Sequence, residues 1–424
     1  MAAMAVGCTL LFAPRDARGQ LTLDAARAAA HGASPVLRAA SEAVNGAAAR
    51  ERQAGALINP TLSYGREQTS RAGQTNAQDV VQIEQAVEIG GQRSTRRDVA
   101  RARREGAEAR FAAAAAELDF EVTRGFALAV VAERRARLAT QTSAAFIEAQ
   151  RVSDQRLTAG DVSGYVARRL RLERARFAAV AAAAAMERRS TRMALAALMG
   201  LPATSGDALN LPAELSDGVG ELAAMSLDSL LARAARERPE VRALALDAEA
   251  ASAEARLAGR ERIPTPVLSA GYKGERVADP TRGSVAGFRG IVVGLALPLP
   301  LFDRRSGAMD AADADARRVR AEGDVVGRRV AREVADALEG LLAAEAQRAA
   351  LAPHLGEDAR LAVRAVQASY AEGEITLVEW LDAIRAYQDA DSTYVSLQAE
   401  VAIRRAALVR AVGAPLTLTA SDDQ

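Results

Sequence analysis

Val80-Val81-Gln82-Ile83-Glu84-Gln85-Ala86-Val87-Glu88-Ile89 alternates: Val81, Ile83, Val87 and Ile89 fall on one face, Gln82, Glu84 and Glu88 on the other. Period two marks an extended strand with an apolar side and a carboxylate-bearing side. Gly90-Gly91 closes it. Upstream, Thr61 to Glu67 reads as a partner strand, and Ser70 to Asn76, rich in Gly, Ser, Thr and Asn, as the polar loop between them. Asn59-Pro60 ends a helix expected over residues 21–57, with Asp24 near its N-cap.

The same plan returns downstream. Val267 to Gly274 and Phe288 to Leu299 read as a second hairpin around a loop containing Asp279-Pro280-Thr281-Arg282-Gly283. Ile291, Val293, Leu295 and Leu297 share one face of its last strand; Val292, Gly294 and Ala296 share the other, and Pro298 and Pro300 stop it. Paired anchors surround both hairpins: Leu21-Thr22-Leu23-Asp24 with Met225-Ser226-Leu227-Asp228, Pro35-Val36-Leu37-Arg38 with Pro239-Glu240-Val241-Arg242, and Asn59-Pro60-Thr61-Leu62-Ser63 with Ile263-Pro264 through Ser269. Ala159-Gly160-Asp161-Val162-Ser163 pairs with Glu372-Gly373-Glu374-Ile375-Thr376, and Met199-Gly200-Leu201-Pro202 with Val412-Gly413-Ala414-Pro415. This is one duplicated unit, divided as residues 21–201 (hairpin strands about 61–89), a linker over 202–224, and residues 225–418 (hairpin strands about 266–299). Residues 419–424 read as a disordered tail.

After each hairpin comes a long helical stretch, Thr95 to Leu157 and Ser306 to Ala371, each a rod of roughly 90 Å at ~1.5 Å per residue. Each reverses at a compact glycine turn and runs back to the signals at Gly200 and Gly413. In the last helix Leu377, Trp380, Ile384, Tyr387 and Tyr394 recur at three- and four-residue steps, interrupted by Asp391, which is the spacing of helix–helix packing.

Composition narrows the classes. In 424 residues, 55 basic side chains balance 54 acidic ones and aromatics are 4%, which excludes the basic excess of a nucleic-acid binder and favours long helices with small-residue seams. The basic run Arg93 to Arg104 reads as a solvated helix face. Cys8 is the single cysteine, so no intrachain disulfide or cysteine-based zinc site can form. His31 and His354 stand apart; His354 with Glu357 and Asp358 has two-ligand helical spacing, which reads as chance in a charged helix. No phosphate loop and no Ser–His–Asp order in strand–turn context appears, so no catalysis, cofactor or metal site is expected. Residues 1–20 read as a signal peptide without its basic region, with Ala17-Arg18-Gly19 at the cleavage site; Ala5-Val6-Gly7-Cys8 is a poor lipobox.

No apolar stretch beyond that segment reaches the ~18 residues of a membrane helix. A membrane can be crossed here only by strands, and each is long enough when tilted, at ~9–11 residues per crossing. On that reading Val81, Ile83, Val87, Ile291, Val293 and Leu295 face lipid. Closed membrane barrels take ~8 or more strands, and an open edge in lipid leaves backbone groups unsatisfied. Four strands therefore cannot span alone: either the hairpins are small soluble sheets, or several chains pool strands into one barrel. A dimer would give eight and a trimer twelve, and the polar face of Gln82, Glu84 and Glu88 favours a wide lumen and hence the trimer.

With these features the chain resembles the TolC-like outer-membrane efflux family across residues 21–418, most closely its heavy-metal (cation) branch. The resemblance rests on the duplicated plan, on Asn59-Pro60-Thr61-Leu62-Ser63, on the hairpin exits Ile89-Gly90-Gly91-Gln92-Arg93 and Leu299-Pro300-Leu301-Phe302-Asp303-Arg304, and on the turns at Gly160 and Gly373. It implies a mainly helical fold: antiparallel coiled-coil helices in an α-barrel, with four strands per chain in a trimeric twelve-stranded β-barrel. It further implies a homotrimer in the outer membrane of a Gram-negative bacterium, with a large periplasmic part. That trimer is a passive exit duct for metal cations or small toxic compounds, reached through a periplasmic adaptor (membrane fusion) protein and an inner-membrane resistance-nodulation-division pump. By position, adaptor docking falls on the tips Leu157, Gly160, Asp161, Val162, Ser163, Gly373, Glu374, Ile375 and Thr376. A periplasmic gate falls on Asp154, Arg156, Glu379 and Asp382. The alternative is a periplasmic coiled-coil adaptor or scaffold of an export system, which fits two hairpin-plus-rod copies less well.

Overall fold

The computed structural model describes residues 19–71, 74–215, 221–279, 284–355 and 357–414. The expected signal peptide up to residue 18, with Cys8, and the tail over 419–424 lie outside them, as do linker residues 216–220.

Nine α-helices and four strands are described: α1 (Leu23–Ala33), α2 (Pro35–Ala54), β1 (Thr61–Arg71), β2 (Gln74–Ala86), α3 (Gln92–Ala159), α4 (Gly164–Leu198), α5 (Leu227–Glu237), α6 (Pro239–Arg260), β3 (Val267–Asp279), β4 (Ser284–Ala296), α7 (Ser306–Leu351), α8 (Glu357–Glu372) and α9 (Leu377–Val412). Short 3-10 turns occupy Ala203–Ala208 and Glu221–Ala224 in the linker, and Ala352–His354.

Two expected helices are divided, and proline is the reason both times. The stretch over 21–57 breaks between α1 and α2 because the residue before Pro35 is pushed out of the helical region, leaving Ser34 at ψ 118°. The Ser34 hydroxyl then accepts from the Leu37 amide at 3.2 Å and starts the next helix. Arg238 and Pro239 repeat this break between α5 and α6, with Arg238 at ψ 121°. The rod expected from Ser306 to Ala371 is cut at Pro353, which has no amide to donate and crowds the preceding turn.

The chain forms two compact units. The first gathers the residues up to 39, 111–239 and 327 onward. One cluster in it packs Ala26 and Ala30 of α1 on Val122, Phe126, Ala129 and Val130 of α3 and on Leu195 of α4. Alanines let the helices approach closely. A second cluster is aromatic: Phe146 stacks on Phe177 at 4.3 Å and Trp380 on Tyr370 at 5.0 Å, with Trp380 only 2% exposed. The expectation that Trp380 packs between helices holds.

The second unit comprises residues 40–110 and 240–326. It contains a four-stranded antiparallel meander in the order β1-β2-β3-β4. The central pairing of β2 with β3, from Ala77 opposite Arg276 to Ala86 opposite Val267, joins the two repeats into one sheet. The strands reach further into the loops than the alternation indicated, because polar residues also pair there. Tyr64 donates to Asp79 at 2.8 Å and Ser70 lies 3.1 Å from Thr75. At the opposite end they stop earlier: β2 ends at Ala86, so Val87 and Glu88 lie beyond it, and β4 ends at Ala296. Glu88 leaves the polar face to grip Arg96 with both carboxylate oxygens.

Candidate functional site

The sheet has two chemically distinct faces, fixed by register. Opposite-residue pairs place Leu62 beside Ile83, Tyr64 beside Val81, Val81 beside Tyr272, Tyr272 beside Ile291, Ile83 beside Ala270, Ala270 beside Val293, and Leu268 beside Leu295. Five of the six strand residues singled out from the sequence, Val81, Ile83, Ile291, Val293 and Leu295, therefore share one apolar face. Val87 lies past the strand end, where its amide still donates to the Pro266 carbonyl at 2.9 Å. This apolar face is uncovered in the single chain: Val81 is 45% exposed and Ile291 82%. A patch of this size in contact with water is costly, so it signals a partner surface.

The other face alternates with it. Ser63, Gln82, Gly271 and Val292 form one row across the strands, and Thr61, Glu84, Ser269 and Gly294 the next. Gln82 donates to Glu84 at 2.7 Å along this face. Lys273 and Glu275 pair there at 3.2 Å. The small and polar rows suit a water-filled space. β1 and β4 each have a neighbour on one side only, leaving two open edges.

At the helix tips, α3 turns into α4 and α8 into α9. Both turns hold glycine at φ +88°, Gly160 and Gly373. In each, the following amide bonds five residues back: Asp161 to the Arg156 carbonyl and Glu374 to the Ser369 carbonyl, both at 2.9 Å. This left-handed helix stop is cheap only for glycine. The next helix begins on a hydroxyl cap. Ser163 accepts from the Val166 amide at 3.4 Å, and Thr376 accepts from the Glu379 amide at 3.3 Å while Glu379 returns a bond to the Thr376 amide at 2.8 Å. Val162 and Ile375 are partly buried, Ile375 against the aromatic cluster, whereas Asp161 is exposed.

Of the residues expected at a gate, Asp154 accepts from Arg171 at 3.0 Å and from Gln150 at 3.2 Å, and these bonds hold its carboxyl below the usual range. Arg156 donates to the Tyr370 carbonyl at 3.4 Å and lies over Gly373, where an added Cβ would come within 3.0 Å of the guanidinium. The Glu379 carboxyl is held low by its bonds to the Thr376 backbone and hydroxyl, so its first task is capping. Asp382 is exposed. Leu157 is partly buried.

The sequence reading passed over two residues here. Tyr165 and Val378 stand at the same 213-residue offset as Ser163 and Thr376, and both are exposed, 65% and 53%, immediately after the tips. The equal offset was the signal available. Among the described residues no group of three or more His, Cys, Asp and Glu could hold a metal ion. His31 instead contacts Asp119 at 2.8 Å, while the side chains of His354, Glu357 and Asp358 lie outside those described. No described helix is long and apolar enough to cross a membrane.

Residues 230–414 match the model of the outer membrane efflux protein family. The cobalt-zinc-cadmium resistance protein CzcC of Cupriavidus metallidurans is 29% identical over 294 residues, 69% of this chain and 66% of that protein. The nickel-cobalt-cadmium resistance protein NccC of Alcaligenes xylosoxydans xylosoxydans is 28% identical over 66% of this chain and 61% of its own length. The chain thus spans just under two thirds of each relative. Among solved structures, CusC superposes with a TM-score of 0.73 at 18% identity, covering 93% of this chain and 92% of that one. The second repeat carries the outer membrane efflux protein pattern, on a chain whose fold is that of the TolC-like outer-membrane channels.

Proposed function

We propose that this chain is the outer-membrane exit duct of a tripartite efflux pump and conducts its cargo passively from periplasm to exterior. One observation carries the reading: a four-stranded sheet with an apolar face, a polar face and two open edges. In lipid, unsatisfied edges cost several kcal/mol per group, so three copies join β4 of one to β1 of the next and close a twelve-stranded barrel. Lipid then covers Val81, Ile83, Ile291, Val293 and Leu295, and water fills the side of Gln82 and Glu84. A periplasmic adaptor would instead leave that apolar face in water. The match to two metal-resistance proteins favours divalent cations as cargo.

The tips at Gly160 and Gly373, with Tyr165 and Val378 beside them, receive the periplasmic adaptor that links the duct to an inner-membrane resistance-nodulation-division pump. Asp154 and Arg156, tied to neighbouring helices, act at the gate with Asp382, while Glu379 holds the start of α9. The chain performs no catalysis; the energy comes from the pump. Fractionation tests the reading: heat-modifiable trimers in the outer-membrane pellet, conducting in a planar bilayer, are expected. A soluble periplasmic monomer would overturn it.

A further inference from the structure

The charge of the chain is nearly balanced overall but not locally. The four segments at the foot of the sheet, residues 50–60, 87–97, 256–266 and 297–307, hold ten arginines against four carboxylates, net +6 in a chain of net +1. All four carboxylates are engaged: Glu51 with Arg104, Glu88 with Arg96, Glu261 with Arg305, and Asp303 with the Arg305 amide. Arg50, Arg262 and Arg304 are exposed and form no ion pair among the described residues.

The same foot exposes apolar side chains. Leu57, Ile89, Leu299 and Leu301 are largely open, and Phe302 is 99% exposed next to Arg304 and Arg305. Two niches combine these chemistries, one per repeat. The first, about 480 Å³, sets Arg50 and Arg96 around Leu57 and Ile58. The second, about 540 Å³, sets Arg262 and Arg304 around Ile263, Pro264 and Pro300. Both open within the unit that carries the apolar sheet face and continue directly from its strands.

We propose that these two niches bind anionic phospholipid headgroups, forming an arginine collar where the barrel leaves the bilayer. The inference rests on the outer-membrane reading above. Charge complementarity and continuity with the apolar sheet face select this occupant. Arginines take a phosphodiester by paired N–H donation, while Phe302 and the exposed leucines lie among the first acyl methylenes. Each basic residue near an anionic surface is worth ~1 kcal/mol, about a fivefold change in affinity, and weakens with salt.

The test compares the full chain with an Arg50→Gln/Arg262→Gln/Arg304→Gln variant, both reconstituted in nanodiscs of phosphatidylcholine with or without phosphatidylglycerol. Bound phosphatidylglycerol is counted by native mass spectrometry across a salt series. The wild type is expected to retain phosphatidylglycerol over phosphatidylcholine, less so at high salt. The variant should insert as a trimer and conduct normally, yet lose this preference by tenfold or more. Equal retention of both lipids by the wild type, or unchanged preference in the variant, would overturn the inference and leave the duct intact. Displacement by millimolar inorganic phosphate would make the niches general anion sites and overturn it too. A variant that falls to monomers would assign the collar to contacts between copies. A wild type that enters neither membrane would overturn this inference together with the duct.

Discussion

In the first repeat α3 runs unbroken from Gln92 to Ala159, whereas the matching stretch of the second is cut at Pro353 into α7, a 3-10 turn and α8. The turns that follow are nevertheless the same, glycine at φ +88° with an amide bonded five residues back. Their surroundings differ again. Nothing lies within 4 Å of a Cβ built on Gly160, while Arg156 covers Gly373 and a capping box secures Thr376. The duplicated plan is therefore specified where the backbone must reverse or pair, and the helices between are free to be filled differently. Asp391 shows this well. It is buried in α9 and bonded to Arg134 at 2.9 Å, yet the residue 213 positions earlier in α4 is Ala178.

The largest expected effect sets the inner strand of one repeat against the edge strand of the other. If the apolar sheet face meets lipid, as proposed, Val81→Arg and Ile291→Arg should each cost ~2–4 kcal/mol near the bilayer midplane. Both should deplete heat-modifiable trimer from outer-membrane pellets; normal insertion of either would mean that the shared apolar face does not meet lipid at that position. Next comes the ion pair between Arg134 of the first repeat and Asp391, the buried carboxylate that only the second repeat supplies. Asp391→Ala leaves Arg134 with Glu214 alone, at 3.2 Å, and should lower stability by about 3 kcal/mol in thermal unfolding of the solubilised protein. Replacing Ala178 by Gly should cost only ~1 kcal/mol.

At the tips, Gly160→Val and Gly373→Val force a branched side chain into the left-handed region, at ~1–3 kcal/mol each. Insertion should be spared and co-purification of the cognate adaptor weakened, more so for Gly373, where Arg156 must also move. Unchanged adaptor recovery from both would remove docking from these turns. The smallest effect separates the caps: Thr376→Ala should cost about 1 kcal/mol and Ser163→Ala less, read as the difference in melting temperature. The Thr376 effect should depend on acid. The Glu379 carboxyl is held low, so its bonds stabilise above its unfolded value near ~4.3 and fade as pH falls through the folded one. The two variants should therefore converge at acid pH.

Much of this was legible because strand alternation and glycine turns are local signals. Val81 and Ile83 could be assigned a face from period two alone, and Gly160 and Gly373 from their place after long helical runs. What escaped was set by competition or by distance. Pro35 and Pro353 were visible, but helical periodicity on both sides concealed that each breaks the helix. Val87 and Glu88 continue the alternation perfectly; Arg96, eight residues on, draws Glu88 out of it. Asp391 looked like a flaw in an apolar stripe until its partner 257 positions away was in place. Tyr165 and Val378 carry no motif at all, only their matched offset and their exposure in the fold.

Pooling of strands between identical chains is the claim on which the duct stands. Native mass spectrometry of the detergent-solubilised outer-membrane protein tests it most directly. Three copies per particle, persisting until the sample is heated, is the result expected; a particle of one chain, stable alone in detergent, would contradict it.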